Sequence, residues 1–331
     1  EIVDKIGSYA PVAIGLDLLL AEPDRSSACE VLKRMETIPA DTLAAACNEA
    51  SNDQKLAQAI SNYPVVVGIA GVEGGYSSIA PLSPVTFSDG KPSDKLRHFT
   101  SALTNIPELH SAASGWGLVS ADIERGIVRE IPMIASVGDQ YIPSLTIEML
   151  RIALGTKAVD IVSKEGNIEG IKLGDLWIDT TESGSLWLHY SPHETARFVS
   201  ALSVLNGTVD ADLLNNRLVL IGVTGLGLVD YVATPLGDRI PGVEVHAQIL
   251  ETVFDGSVLV RPEWGHQLET ALLLFISLIV IFLLPRIRIW KQLSIFGGLL
   301  AVIGVSGLYL FHEHQVLLDI ASPTLFFGLL Y

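Results

Sequence analysis

The last quarter of the chain contains three long apolar runs, at about residues 267–284, 293–311 and 319–331. The first two are each about as long as the roughly 20-residue helix that crosses a ~30 Å hydrocarbon core. The third run is still apolar at residue 331, so we expect its helix to be cut short there. The sequence therefore predicts an α-helical bundle of three transmembrane spans in residues 266–331, behind a polar domain in residues 1–265.

Charged residues between the runs predict the orientation. The loop after the first run carries Arg286, Arg288 and Lys291 beside Trp290, whereas the loop at residues 312–315 carries no Lys or Arg. Cationic loops are retained in the cytoplasm, and Trp is enriched at the membrane surface. The pattern predicts a multi-pass protein of the inner (plasma) membrane with residues 1–265 extracytoplasmic, which is the layout of a transmembrane receptor. Because no signal peptide precedes this domain, we also expect an anchor upstream of Glu1.

The acidic charge belongs to the polar domain. Three of the 21 basic residues and three of the 37 acidic residues lie in residues 266–331, so the formal net charge of −16 falls on residues 1–265. Such a charge repels phosphate backbones, which argues against a nucleic-acid partner. Two cysteines, Cys29 and Cys47, can either form a local disulfide in an oxidising compartment or remain free thiols, and the sequence favours neither.

Apolar β-branched runs alternate with helical patterns in residues 1–265, which predicts an α/β fold on a largely parallel central sheet. The predicted strands are 11–20, 65–70, 115–120, 186–190 and 218–223, and the predicted helices include 53–61, 144–154 and 243–253. A Gly-Asp turn at Gly174 and Asp175 predicts a hairpin between 168–171 and 176–178. Residues 73–97 are rich in Gly, Pro, Ser and Asp, which indicates a long loop.

Asp17 is the first candidate site residue, because it stands between Leu16 and Leu18 on a predicted apolar strand. A carboxylate buried there needs a partner. A structural ion pair with Arg129 is the favoured interpretation. The alternative is a ligand or metal site at the end of the strand.

A glycine-rich loop after the predicted strand 218–223 supplies further candidates. Thr224 lies where α/β domains bind ligands, at the carboxyl edge of the sheet. Asp230 and Thr234 can fold back onto loop amides, and this structural role is favoured over contact with a ligand. His246 can cap its helix, pair with a carboxylate or respond to pH, and the structural role is again favoured.

Enzyme motifs are weak in this chain. The stretch from His193 to Arg197 begins like a zinc-protease helix but lacks the second histidine. Ser191 lies near His193, but no Gly-x-Ser-x-Gly elbow accompanies them. We therefore predict no catalytic residues, no metal and no cofactor in this chain. Transport is disfavoured because the apolar runs carry no ionisable group near mid-membrane.

Four segments of the chain carry a family resemblance: 14–24, ending in Glu22, Pro23 and Asp24; 115–129, which includes Asp122 and Arg129; 141–145; and 220–247, which includes Thr224, Asp230, Thr234 and His246. In these segments the chain resembles the CHASE2 extracellular sensor domain. It departs from the family at Glu124, Arg125 and Gly126, where an acidic turn is usual. The resemblance implies ligand-binding or switch roles among these residues.

The resemblance also implies a receptor architecture. Family members place the domain between one upstream helix and three downstream helices, followed by a cytoplasmic output domain. That output is commonly a class III adenylate or guanylate cyclase, a histidine kinase or a serine/threonine kinase. We therefore predict a sensor in a bacterial signalling protein, with an unknown small molecule or protein as stimulus. A homodimer packed through Gly297, Gly298, Gly304 and Gly307 is expected, and a non-signalling membrane-anchored binding or assembly protein is the alternative.

Overall fold

The structure is a computed structural model that describes residues 1–35, 37–74, 83–90, 95–120, 126–225, 231–262, 264–282 and 286–322. The chain divides into two compact units, Glu1–Gly256 and Ser257–Tyr331. The predicted boundary at residue 265 separates an extracytoplasmic domain from transmembrane helices, and it stays a prediction.

The described residues form ten α-helices. In chain order they are α1 Ile2–Gly7, α2 Ala28–Lys33, α3 Ala40–Asn48, α4 Asn52–Ser61, α5 Pro107–Ala112, α6 Leu145–Ala153, α7 Ala201–Leu205, α8 Gly242–Phe254, α9 Gly265–Phe282 and α10 Ile289–His314.

The same part of the chain forms sixteen strands. They are β1 Ala13–Asp17, β2 Val65–Val72, β3 Val85–Phe87, β4 His98–Phe99, β5 Ser101–Leu103, β6 Gly115–Leu118, β7 Glu130–Pro132, β8 Ile134–Val137, β9 Gln140–Pro143, β10 Val159–Lys164, β11 Asn167–Leu173, β12 Leu176–Asp179, β13 Ser185–Trp187, β14 Leu218–Gly222, β15 Tyr231–Ala233 and β16 Arg239–Pro241.

The central sheet is mostly parallel, as predicted. Strand β1 pairs in parallel with β14 on one side and with β2 on the other, and β2 pairs in parallel with β6. Of its five described strands, β5 alone runs antiparallel, against the end of β2. The predicted strands 11–20, 65–70, 115–120 and 218–223 therefore all belong to this sheet.

The two faces of β2 explain why the sheet is buried. Val65, Val67 and Ile69 point into one apolar cluster, which also contains Ile60 of α4. Val66 points into another cluster, with Met149 of α6. Because side chains alternate along a strand, an uninterrupted apolar run covered on both sides is what a central parallel strand requires.

The prediction for residues 186–190 was wrong about the sheet. Leu186 lies in β13, which pairs antiparallel with β7 in a separate two-stranded sheet, opposite Ile131. An apolar run of three to five residues indicates a buried strand, but it does not indicate which strand the run pairs with.

A separate four-stranded sheet has the order β12-β11-β10-β3, and its strands come from between β2 and β14 of the central sheet. It confirms the predicted hairpin, because β11 and β12 pair antiparallel around Gly174 and Asp175. It also corrects the prediction for residues 73–97, because Val85–Phe87 is a strand that pairs in parallel with β10. The Gly, Pro and Ser around this short strand obscured it.

A helical hairpin made of α2 and α3 contributes no residue to the apolar clusters described above. Cys29 and Cys47 are joined by a disulfide across it, which settles the alternatives that the sequence left open. Neither helix contains a buried residue. After α3, the chain forms a capping box at the start of α4. The side chain of Ser51 accepts a hydrogen bond from the backbone N–H of Gln54, and the side chain of Gln54 accepts one from the backbone N–H of Ser51.

The second unit contains the apolar helices. In the described part of the chain, one helix is long and apolar enough to cross a membrane, at Trp290–His314 within α10, with a mean hydropathy of 2.0. It contains the predicted span 293–311. The predicted span 267–284 falls largely on α9, and most of the predicted span 319–331 lies outside the described residues.

Candidate functional site

The carboxyl ends of the parallel strands bring two predicted site residues to one edge. Asp17 ends β1, and it pairs in register with Gly222, which ends β14. Thr224 follows two residues later and is exposed. Asp17 therefore ends one strand, and Thr224 follows the end of its neighbour, at the edge where α/β domains bind ligands. Asp230, farther along the same loop, lies outside the described residues.

Helix α8 covers this edge closely. A Cβ atom added to Gly222 would lie 2.5 Å from Cβ of Val243, in the first turn of α8. Glycine at the end of β14 is therefore needed for the close approach of the helix. Nine of the 13 residues of α8 are buried.

His246 on α8 lies within the electrostatic reach of Asp17. Its side chain is buried, and burial lowers the pKa of the imidazole, while the negative charge of Asp17 acts in the opposite direction. The net direction is downward, which favours the neutral ring near neutral pH. Nδ1 of His246 has no hydrogen-bond partner within the described part of the chain. The structure thus brings Asp17 and His246 together, which the sequence did not predict.

A polar stripe on α8 holds the segment at residues 191–197. Glu244, Gln248 and Glu251 follow one another at a spacing of four and three residues, so they share one face of the helix. Oε2 of Glu244 lies 2.7 Å from Nδ1 of His193, and the backbone N–H of Ser191 donates to Oε1 of Gln248 at 3.0 Å. These contacts tie the segment to the helix.

Arg197 completes this set of contacts. Its guanidinium donates through Nη2 to Oε1 of Glu251 at 2.9 Å and to the hydroxyl of Ser191 at 2.8 Å. The hydroxyl of Ser191 in turn donates to Oε2 of Glu251 at 2.9 Å. Ser191 and His193, which lie close in sequence, are thus each bonded to α8. We call these six residues, Ser191, His193, Arg197, Glu244, Gln248 and Glu251, the α8 polar cluster.

Two buried atoms of charged side chains in the α8 polar cluster keep unused bonding capacity. The side chain of Glu244 is 1% exposed, and its Oε1 atom has no hydrogen-bond partner among the described residues. Nη1 of Arg197 is likewise buried without a partner there. Unmade bonds on buried charges are costly. The cluster is therefore a place where a proton, a water molecule or a polar ligand changes the balance of contacts on α8.

Arg129 and Thr234 lie on two segments that meet. The backbone N–H of Val128 donates to the carbonyl of Ala233 at 3.0 Å. Thr234 is buried in the turn after β15, where its N–H donates to the carbonyl of Asp238 at 2.9 Å. The side-chain hydroxyl of Thr234, which was predicted to bond to a loop amide, is buried without a hydrogen-bond partner among the described residues. The ion pair between Arg129 and Asp17 stays a prediction, and Asp122 lies outside the described residues.

The sequence missed most of the α8 polar cluster. His193 and Arg197 were considered as parts of a failed zinc motif, and Ser191 and His193 as a failed serine-hydrolase pair. Glu244, Gln248 and Glu251 were not singled out. Their spacing on an otherwise apolar helix was the available signal. Among the described residues, no group of three or more His, Cys, Asp or Glu side chains could hold a metal ion.

The described residues form an α/β domain with a mostly parallel central sheet and polar residues at the carboxyl edge of that sheet. Later in the chain comes one helix that is long and apolar enough to cross a membrane. The chain belongs to the CHASE2 domain family, whose model matches residues 1–284. CHASE2 domains are extracellular sensor domains of signalling receptors. No curated protein and no solved structure is significantly similar to the chain.

Proposed function

We propose that this chain is the sensing part of a bacterial transmembrane receptor, which relays an extracytoplasmic stimulus to a cytoplasmic output domain. The family match over residues 1–284 carries this proposal. The helix at Trp290–His314 supports attachment to a membrane. A class III adenylate or guanylate cyclase is the proposed output, and a histidine or serine/threonine kinase is the second candidate.

Helix α8 is the proposed route of the signal. It contacts the end of β14 through Val243 and the 191–197 segment through the α8 polar cluster, and it is the last helix before the division at Gly256. A stimulus that binds two arrangements of these contacts unequally shifts their populations. Any displacement of α8 is then transmitted along the chain toward the second unit.

Three transmembrane spans in the inner (plasma) membrane are the proposed topology. Arg286, Arg288 and Lys291 would lie on the cytoplasmic side, because Lys and Arg are retained there. Residues 1–265 would then be extracytoplasmic. Cysteine-scanning labelling of intact cells tests this topology: a cysteine in place of exposed Arg288 should be shielded from an impermeant reagent, whereas one in place of exposed Leu213 should be labelled.

A homodimer is proposed because class III cyclases, the proposed output, work as dimers. Three glycines of α10, Gly297, Gly298 and Gly304, have open space where a Cβ would stand, whereas a Cβ at Gly307 would meet the side chain of Ile320. Small residues allow membrane helices to approach closely. Gly304→Leu should therefore weaken association in detergent. Ser306→Leu, at an exposed site of the same helix, is the matched control, and equal association of the two variants would contradict this interface.

The proposed function is tested on the intact protein in membranes, by assaying both cyclic-nucleotide formation and phosphotransfer. We expect one of these activities, and we expect Glu244→Gln to change it because the α8 polar cluster loses a charge. Glu108→Gln is the control, since Glu108 is exposed on α5 and is not part of the α8 polar cluster. Absence of both activities, or an activity that Glu244→Gln leaves unchanged in a folded protein, would contradict the receptor proposal and favour a binding or assembly role.

A further inference from the structure

The α2–α3 hairpin is held in place differently from the other described α-helices of the Glu1–Gly256 unit, each of which contains buried residues. Its two helices have six and nine residues, and none of these is buried. The helices pack on each other, and Val31 and Met35 leave 44% and 60% of their surface exposed. Isolated helices shorter than roughly 12–15 residues are marginal in water. The order of the hairpin therefore depends strongly on the disulfide between Cys29 and Cys47.

A separate set of hydrogen bonds closes the base of the hairpin. The carboxylate of Asp24 accepts from the hydroxyl of Ser27 at 2.6 Å and from Nδ2 of Asn52 at 2.9 Å, and the N–H of Asn52 donates to the hydroxyl of Ser27 at 3.1 Å. Hydrogen bonds from Ser26 and Ser27 hold the pKa of the Asp24 carboxyl well below its usual range. These bonds do not involve the disulfide, so they remain available to hold the base when the disulfide is broken.

The chain before the hairpin is also anchored independently of it. The N–H of Leu20 donates to Oδ1 of Asn105 at 2.8 Å, and Nδ2 of Asn105 donates to the carbonyl of Gly68 at 2.8 Å. Asn105 is buried. These bonds connect the exit of β1 to β2, so opening the hairpin leaves the central sheet in place.

We propose that the Cys29–Cys47 disulfide is a reducible site for a dithiol, and that its reduction releases the α2–α3 hairpin while the sheet stays folded. Cys47 is exposed and Cys29 is half-buried, so a thiolate can reach the bond. The attacking thiolate forms a mixed disulfide as the Cys29–Cys47 bond breaks, and the second thiol of the reagent then displaces it. The dithiol is oxidised to a disulfide, and the two cysteines gain two electrons and two protons.

If the chain is the sensor proposed above, the redox state of its surroundings is one input to that sensor. This last step rests on the proposed function. The release of the hairpin does not, because it is measured on the protein itself without any output activity.

Limited proteolysis of the full chain in detergent tests the release. Lys33 ends α2 and Arg34 follows it, so a protease specific for Lys and Arg reports whether the hairpin is open. We expect dithiothreitol to speed cleavage there by roughly 100- to 300-fold, about what the closure of a loop of this length contributes. Lys55, exposed on α4, is the internal control and should be cleaved at an unchanged rate.

A Cys29→Ser/Cys47→Ser variant should show the fast cleavage without any reductant. Alkylation of the thiols, followed by mass analysis, measures how much of the disulfide has been reduced. Full reduction without faster cleavage at residues 33 and 34 would overturn the proposal, and so would a disulfide that resists reduction in the folded protein. Faster cleavage at Lys55 as well would show that the disulfide stabilises the whole unit, which also contradicts a local release.

Discussion

Helix α8 and the α2–α3 hairpin belong to the same compact unit, yet their side chains have opposite environments. Nine of the 13 residues of α8 are buried, and none in α2 or α3 is. Packing therefore holds α8, whereas one covalent bond and a few hydrogen bonds hold the hairpin. The two regions should therefore respond to different changes in the solution. A change of pH acts on the buried polar groups of α8, whereas a thiol reductant acts on the disulfide of the hairpin.

The largest difference should appear when one branched aliphatic side chain is shortened in each region. Ile249 of α8 is fully buried, so Ile249→Ala should cost about 2–5 kcal/mol of unfolding free energy through lost burial and the cavity left behind. Val31→Ala in the hairpin, at a 44% exposed site, should stay within about 0.5 kcal/mol. Urea titration followed by tryptophan fluorescence measures both. Equal losses of unfolding free energy in the two variants would contradict the difference in burial between α8 and the hairpin.

Removal of His193 should have the next largest effect. His193→Ala leaves the buried carboxylate of Glu244 without its imidazole partner, at a cost of about 1–3 kcal/mol. Addition of Glu244→Gln should recover part of that loss, because no buried charge then remains unpaired. A double-mutant cycle in urea measures the coupling. Strict additivity of the two changes would mean that the 2.7 Å contact does not contribute to stability.

Titration of His246 gives a smaller, pH-dependent effect. Since burial lowers its pKa below the ordinary value of 6.5, the unfolded chain binds the proton more tightly, and stability falls as pH drops below that value. The slope reaches at most about 1.4 kcal/mol per pH unit. Unfolding at about pH 7.5 and about pH 5.5 should show a loss that His246→Gln reduces. Exposed His98→Gln is the control and should leave the slope intact.

The smallest effect should come from the exposed ion pair on α2. Lys33 and Glu30 lie 2.7 Å apart, with side chains 52% and 42% exposed. Because solvent screens such pairs, Lys33→Gln should change the unfolding free energy by at most about 0.5 kcal/mol. A larger loss in the same urea titration would show that the hairpin depends on electrostatics as well as on its disulfide.

Local patterns were sufficient to predict the centre of the fold. The apolar run at Val65 and its neighbours indicated a buried strand, and Ser144 marked a helix start, where its hydroxyl accepts from the N–H of Ile147 at 3.3 Å. The turn at Gly174 and Asp175 indicated a hairpin. Each of these signals lies within a few neighbouring residues, so it can be read without knowing the tertiary structure.

Contacts between distant segments could not be read in the same way. Asp17 and His246 are far apart in sequence, and neither periodicity nor spacing connects them. The contact between His193 and Glu244 likewise depends on how the 191–197 segment folds onto α8. The strand at Val85–Phe87 was missed because its three residues are too few to show a period, and only its pairing with β10 defines it.

The closed base of the hairpin has a consequence for how the length of this chain can vary. Ser27 and Asn52 lie within one hydrogen bond of each other, so the chain leaves and re-enters the domain at almost the same place. Insertions or deletions between those two points need not move any strand, and loop length itself costs little. We expect relatives of this protein to differ in size here, and a short Gly-Ser bridge from Ser27 to Asn52 to yield a folded domain.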